Sequence, residues 1–521
     1  MTLGAFSRAA TAAISTSLLA FSGGLPAGAQ AAPALPPVQR ALVHHAVSTA
    51  NPEAQAAFDE GLTLIYAFNR DEAAKRFAKA AQLDPSLGMA WWGVALANGP
   101  NLNFDMTPER IATANDALAK ARALSDKESP AERRYVEALA TRYPRDAKVE
   151  RRGGYRAYRD AMAKLHADFP DDLDAATLYA ESSMDVDEWG WSNGVPTPAA
   201  QTIAATLVSV LARSPNHPGA NHYYVHVMDF AGVADRALPS ARRLSALPIE
   251  PAASHLVHMS GHNYLDLGLF VPLERDNKSA VDDDLAYAPT IGKTPWQLDY
   301  FGHNLDFYVG GALMLDDQPE IARAVTLFRE AKRPQALLAM ARNGQWDAVL
   351  ANAPLPTTNV TMRYVRGLAF LGKNDVTSAR AELAALDTIR DGASGFLKFI
   401  STNYDDVLTA RVAHADGNDA LAVTKLRGII ASTAAYPPEA FPPWYYPVGE
   451  WLGAVLLARG DLPGAEAAYR ADLQRTPHNA RALYGLMQTL SRQGRVDESR
   501  AIAPEIAANW RGPSDDLRSS I

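Results

Sequence analysis

The chain has 521 residues, 50 Lys and Arg against 58 Asp and Glu, a net charge of -8 and no cysteine. That length suits two or more domains or one elongated repeat array. The negative balance and the lack of a basic block argue against nucleic acid as a partner. The lack of cysteine excludes disulfides, thiolate catalysis and Cys-ligated metal.

Residues 1–29 read as a secretory signal. Arg8 gives a positive start, and Ile14, Leu18, Leu19 and Phe21 mark an apolar stretch. Ala27-Gly28-Ala29 is an A-x-A cleavage site, which puts the mature start near Gln30. The alternative, an uncleaved anchor, meets an apolar run that is short and serine-rich for a membrane span. The expectation is a periplasmic or secreted protein with no membrane span in its mature chain. Export to an oxidising compartment also fits a chain without thiols.

Helical repeats follow, and the predicted fold is all-α. From Ala54 to Pro85, Phe58, Gly61, Leu62 and Leu64 precede a turn at Asn69-Arg70-Asp71. Glu72, Ala73, Phe77, Ala80 and Ala81 follow, and Asp84-Pro85 stops the second helix. Small residues at fixed offsets let paired helices pack closely, which is the tetratricopeptide (TPR) pattern. Ala90-Trp91-Trp92-Gly93 opens the next unit. The pattern is weaker around Tyr364, Gly367, Leu371, Gly372, Ala379 and Leu383. It returns strongly from Trp451 through Gly460, Tyr469 and Pro477 to Gly494. The expected architecture is a TPR-like α-solenoid whose stacked pairs offer a concave groove. N-terminal repeats would occupy residues 30–170, a divergent histidine-rich segment 171–310, and C-terminal repeats 311–521.

The central segment carries the chemistry. Seven of the 12 histidines lie between His217 and His303. His222 and His226 form one His-x-x-x-His pair, and His258 and His262 form another, with His255 one turn upstream. Residues four apart share a helix face, and two imidazoles at that spacing hold one transition ion. Random placement of 12 histidines would give about 0.3 such pairs in the whole chain. His222, His226, His255, His258, His262 and His303 are therefore the metal-ligand candidates. Copper, iron or zinc all accept neutral imidazole. The competing reading is a set of buried, hydrogen-bonded histidines packed on Tyr223, Tyr224 and Tyr264.

Other residues have narrower roles. His217, beside Pro218, reads first as a cap or turn residue. Glu181 is the candidate catalytic residue, as a ligand, a partner to a ligand or a general base. A solvated helix position is its alternative, and Asp185 and Asp229 are possible supports. Glu188-Trp189-Gly190-Trp191 is either a lid over the groove or a plug under a loop. Met259 is core filler or a ligand for Cu(I) or haem iron. Asp282-Asp283-Asp284 lacks the alternation of a calcium loop and reads as a solvated turn.

Nearly the whole mature chain resembles a family of exported bacterial TPR proteins with a histidine-rich centre. The resemblance rests on Val43-His44, Phe58 to Phe68, Ala90-Trp91-Trp92-Gly93 and Gly99-Pro100-Asn101. The most specific segments are Asn216-His217-Pro218-Gly219-Ala220-Asn221-His222-Tyr223-Tyr224-Val225-His226 and His255-Leu256-Val257-His258-Met259 with His262 and Tyr264. His303-Asn304-Leu305 closes the set. The chain departs from that pattern at Arg70, where the family usually shows a histidine. The resemblance implies a repeat fold and a shared central site, and it carries no settled reaction.

The leading expectation is a metalloenzyme, oxygen-activating with copper or iron and hydrolytic with zinc. Its partner would be a small molecule or peptide in the groove. A TPR scaffold that captures a protein partner, or a metal carrier, are the alternatives.

Overall fold

The computed structural model describes residues 41–143, 151–186, 189–192, 194–230, 232–248, 252–355, 357–433, 447–513 and 517. The signal-peptide reading and Glu188 fall outside these residues. The described chain is helical apart from one two-stranded ladder, in which Trp191 pairs with Pro196 and Ser192 with Val195. No described helix is long and apolar enough to cross a membrane.

Helices start where side chains can satisfy the first free N–H groups. Asn51 accepts from the N–H of Glu53 and Ala54, with Pro52 in the first turn. Asn69 caps the next helix through Glu72. Ser129 and Glu132 form a capping box.

The chain forms two compact units, Met1–Ser260 with Asp282–Leu298, and Gly261–Val281 with Asp299–Ile521. In the first, helices Pro52–Tyr66 and Arg70–Leu83 make a hairpin, followed by Gly88–Ala97 and Pro108–Ala123. The fit is set by Phe77. A Cβ on Gly61 would meet its ring at 2.8 Å, and one on Gly93 at 2.2 Å. Glycine at both places lets one aromatic ring seat against two helices. Phe58 and Trp92 extend this core, with Phe58 edge-on to Phe77 at 5.2 Å.

The second unit repeats the device. Helices Val448–Ala458, Leu462–Arg475 and Ala480–Arg492 pack around Tyr469. A Cβ on Gly453 would meet that ring at 2.5 Å, and one on Gly485 at 2.2 Å. Polar groups are also buried here. Arg342 donates to Glu450 at 2.5 Å, and Asn479 donates to both Glu450 and Asp472.

The central helices run Leu173–Met184, Pro198–Arg213, Pro218–Met228, Leu238–Ser245, Ser254–Asp266, Phe270–Thr290 and Phe301–Leu315. The helix that carries His222 and His226 begins at Pro218. One sequence expectation fails. Asp282, Asp283 and Asp284 are not a solvated turn but lie inside helix Phe270–Thr290. Three consecutive helical residues point in different directions. Asp282 thus faces solvent, while Asp284 is buried and accepts from the Ser254 hydroxyl at 2.6 Å.

Candidate metal centre

His217 opens the first histidine helix as its cap: its Nδ1 accepts from the Ala220 N–H at 3.2 Å. That bond leaves the Nε2 proton free to donate, and Nε2 lies 3.2 Å from Asp174 Oδ1. The cap reading of His217 is correct, and the same ring also anchors a buried carboxylate. One and two turns later, His222 and His226 project from a single face. Their Nε2 atoms are 3.1 Å apart.

The tautomer of His222 follows from its other nitrogen. Nδ1 is 2.6 Å from the Tyr66 carbonyl oxygen. A carbonyl can only accept, so Nδ1 carries the proton and Nε2 keeps its lone pair. This is the form in which histidine ligates metal, with the second N–H held by a carbonyl. Two nitrogens each about 2.0–2.1 Å from one tetrahedral ion lie about 3.3 Å apart. The observed 3.1 Å is close to that edge length. An N–H of His226 donating to His222 would give the same separation.

His255 joins this pair. One nitrogen from each of His222, His226 and His255 lies within 4.8 Å of the others. His222 is fully buried and His255 nearly so. The His255 ring stacks on His258 at 5.4 Å, with 24° between their planes. One turn beyond His258 on the same helix comes His262. Its Nε2 is 3.3 Å from His303 Nε2. Burial and the neighbouring His262 push the His303 imidazole down to about 3, so it is neutral at ordinary pH. Phe307 closes over both, with ring centroids 4.6 Å from His262 and 4.9 Å from His303.

Phe68 is a functional neighbour that the sequence reading missed. Its φ of 59° is in the left-handed region, rare for a residue with a bulky side chain. The ring contacts His222 at 4.5 Å, His255 at 5.4 Å and His226 at 6.1 Å, stacking on the last two. Such strain costs about 1–3 kcal/mol and persists where the surroundings enforce it. Its effect is an apolar wall against three imidazoles. Only the turn signal at Asn69 was visible in sequence.

A third ligand-type group was also missed: His45, Asp172 and Asp174. Asp174 accepts from the Tyr66 hydroxyl at 2.6 Å and pairs with His45 Nδ1 at 2.8 Å. Burial pushes its carboxyl up, but the bonds from His217 and His45 outweigh that and hold it below the usual range. Burial lowers His45, yet Asp174 raises it overall to about 9. With both oxygens engaged, this cluster is an ion-paired anchor. The pairing spans 129 residues of sequence, so no local spacing signalled it.

Glu181 sits on helix Leu173–Met184, and its charged neighbours are Arg142 and Asp185. Arg142 is 1% exposed and pairs with Asp185, with Glu181 Oε1 3.6 Å from its guanidinium. Burial, and then Asp185, raise the Glu181 carboxyl to about 8. Asp229 caps the end of the His222 helix and is buried. Met259 is fully buried. The tryptophan loop is tied down at both rings: Trp189 donates to the Met184 carbonyl at 3.1 Å, and Trp191 to the Val227 carbonyl at 2.7 Å.

The sequence profile described as tetratricopeptide repeat matches residues 456–509. Residues 456–509 thus carry a tetratricopeptide repeat, within a described chain that is all-α and built largely of paired helices. A cellulose synthase operon protein C from Xanthomonas axonopodis pv. citri (strain 306) is 41% identical over 78 residues, 14% of this chain. The match spans 5% of that protein's length. Human IFIT1 dimer with PPP-AAAA aligns over 86% of this chain and 89% of its own, at 12% identity and a TM-score of 0.32. The APC/C hetero-tetramer Cut9-Hcn1 covers 78% and 83% at 10% identity, with a TM-score of 0.30.

Proposed function

We propose that this is an exported TPR protein that holds a transition ion on His222, His226 and His255 and works as a metalloenzyme. The observation that carries the reading is the His222 tautomer, with Nδ1–H on the Tyr66 carbonyl and Nε2 facing His226 Nε2 at 3.1 Å. His262 and His303 form a second pair at 3.3 Å, with His258 one helical turn before His262. All six candidates offer nitrogen, which suits copper, iron or zinc. Copper or iron would supply oxygen activation, and zinc a bound water for hydrolysis. The protein's part is to fix the ligand tautomers and to keep the imidazoles in an apolar shell built by Phe68.

The test is the metal content of the tag-free chain, by mass spectrometry with an optical spectrum. Near-stoichiometric copper, iron or zinc is expected, and it should be lost in a His222→Ala, His226→Ala double variant that still folds. No metal after reconstitution with each ion would sink the proposal. The repeat at residues 456–509 favours a second reading, a scaffold for a peptide or protein partner. In that case the double variant would keep its partner. A carrier would instead exchange its ion readily with a chelator.

A further inference from the structure

The parts that make up the His222 site occur a second time. In the first set, two Nε2 atoms lie 3.1 Å apart, His255 on helix Ser254–Asp266 adds a third imidazole, and Phe68 walls the group. In the second, His262 Nε2 lies 3.3 Å from His303 Nε2. His258 is the third imidazole, one turn before His262 on the same unbroken helix. One nitrogen from each of His258, His262 and His303 lies within 4.8 Å of the others. Phe307 is the wall, set against both His262 and His303.

We infer that a second transition ion sits on His258, His262 and His303, as a neighbour of the first. The inference rests on the metal reading above and deepens it from one ion to two. Three observations support it. The His262 to His303 separation equals the edge of about 3.3 Å between two nitrogen ligands of a tetrahedral ion. The donor set is imidazole alone, whereas the group of His45, Asp172 and Asp174 mixes in carboxylates. Nitrogen donors suit copper, iron or zinc, and calcium and magnesium prefer oxygen. Three protein ligands also leave a four-coordinate ion one open position. Finally, His255 of the first triad and His258 of the second lie three residues apart on one helix, with rings stacked at 5.4 Å. A ligand of one ion thus lies against a ligand of the other, and two neighbouring ions can act on one substrate.

The test strips the tag-free full chain with a chelator and titrates it with cobalt(II), followed by its visible bands, and then with copper(II), followed by electron paramagnetic resonance. The cobalt bands should grow until about two ions are bound per chain. A His262→Ala, His303→Ala variant should lose the second ion and keep the first. The His222→Ala, His226→Ala variant should lose the first and keep the second. Circular dichroism checks that both variants fold, and if either does not, the cobalt count on the wild-type chain decides alone. The doubly loaded copper(II) form should show spectral broadening that neither variant shows. One ion per wild-type chain overturns the inference. If that ion survives His262→Ala, His303→Ala, the His222 reading still stands; if it survives only His222→Ala, His226→Ala, that reading falls as well. One ion lost in both variants would mean a single site fed by both pairs, which also overturns it. So would a doubly loaded copper signal that is merely the sum of the two variants' signals, since neighbouring ions must broaden each other.

Discussion

The hairpins around Phe77 and Tyr469 and the helices carrying the histidines use the same notch for different ends. In the repeats, the small residue faces an aromatic ring: Gly61 and Gly93 on Phe77, Gly453 and Gly485 on Tyr469. In helix Ser254–Asp266, Gly261 lies between His258 and His262, and a Cβ there would meet Asn277 Nδ2 at 2.3 Å. The repeats bury carbon on carbon, which is favourable without further conditions. The central helices bury His222, His258, Asn277 and Asn304 almost completely. Buried polar groups cost stability unless each finds a partner. A region that departs in this way from a pattern kept at both ends is where function is expected.

This comparison is open to test. The largest effect is expected from Phe77→Ala, which should cost about 3–5 kcal/mol in urea unfolding, as for other large core truncations. Metal per folded molecule should not change. If Phe77→Ala strips metal from the folded protein, the repeats and the histidine helices are not separable in role. A moderate effect is expected from a matched pair, Gly485→Ala and Gly261→Ala. Each puts a Cβ inside contact distance and should cost about 1–3 kcal/mol. Only Gly261→Ala should also lower metal affinity, because it shifts the turn between two ligand candidates. Equal metal binding in the two would remove the distinction.

The smallest effect concerns pH. Burial, and then Glu450, raise the Asp472 carboxyl to about 7. A carboxyl raised on folding binds its proton more tightly in the native state, so stability falls as pH climbs from the usual carboxylate range through about 7. Asp472→Asn should remove that slope and narrow the melting difference between pH 5 and pH 8 by about a few degrees. An unchanged difference would place the pH sensitivity elsewhere.

Legibility in the sequence followed the range of the interactions. The hairpin at Ala54 to Pro85 and the units from Trp451 onward were plain, because glycine, aromatic and cap recur at fixed short offsets. The His222 helix and the cap role of His217 were also plain, since Asn-His-Pro-Gly is a local start signal. What stayed hidden depended on distant partners. Nothing near Tyr66 announces that its carbonyl meets His222, 156 residues away. The acidic run at Asp282 to Asp284 misled because charge suggested solvent, whereas the helix turns Asp284 inward to Ser254. Phe68 was invisible for another reason: its left-handed backbone is a property of the fold, not of phenylalanine.

Tyr66 has one further consequence. Its hydroxyl is held by Asp174, which also holds His45, while its backbone carbonyl holds His222. Three segments far apart in the chain are thus strung on one side chain and its own peptide group. A cut after residue 50 would remove His45 without touching any ligand candidate, yet it would loosen the peg that sets the angle of the His222 ring. The stretch around His45 acts as a tuning key for an imidazole it never touches.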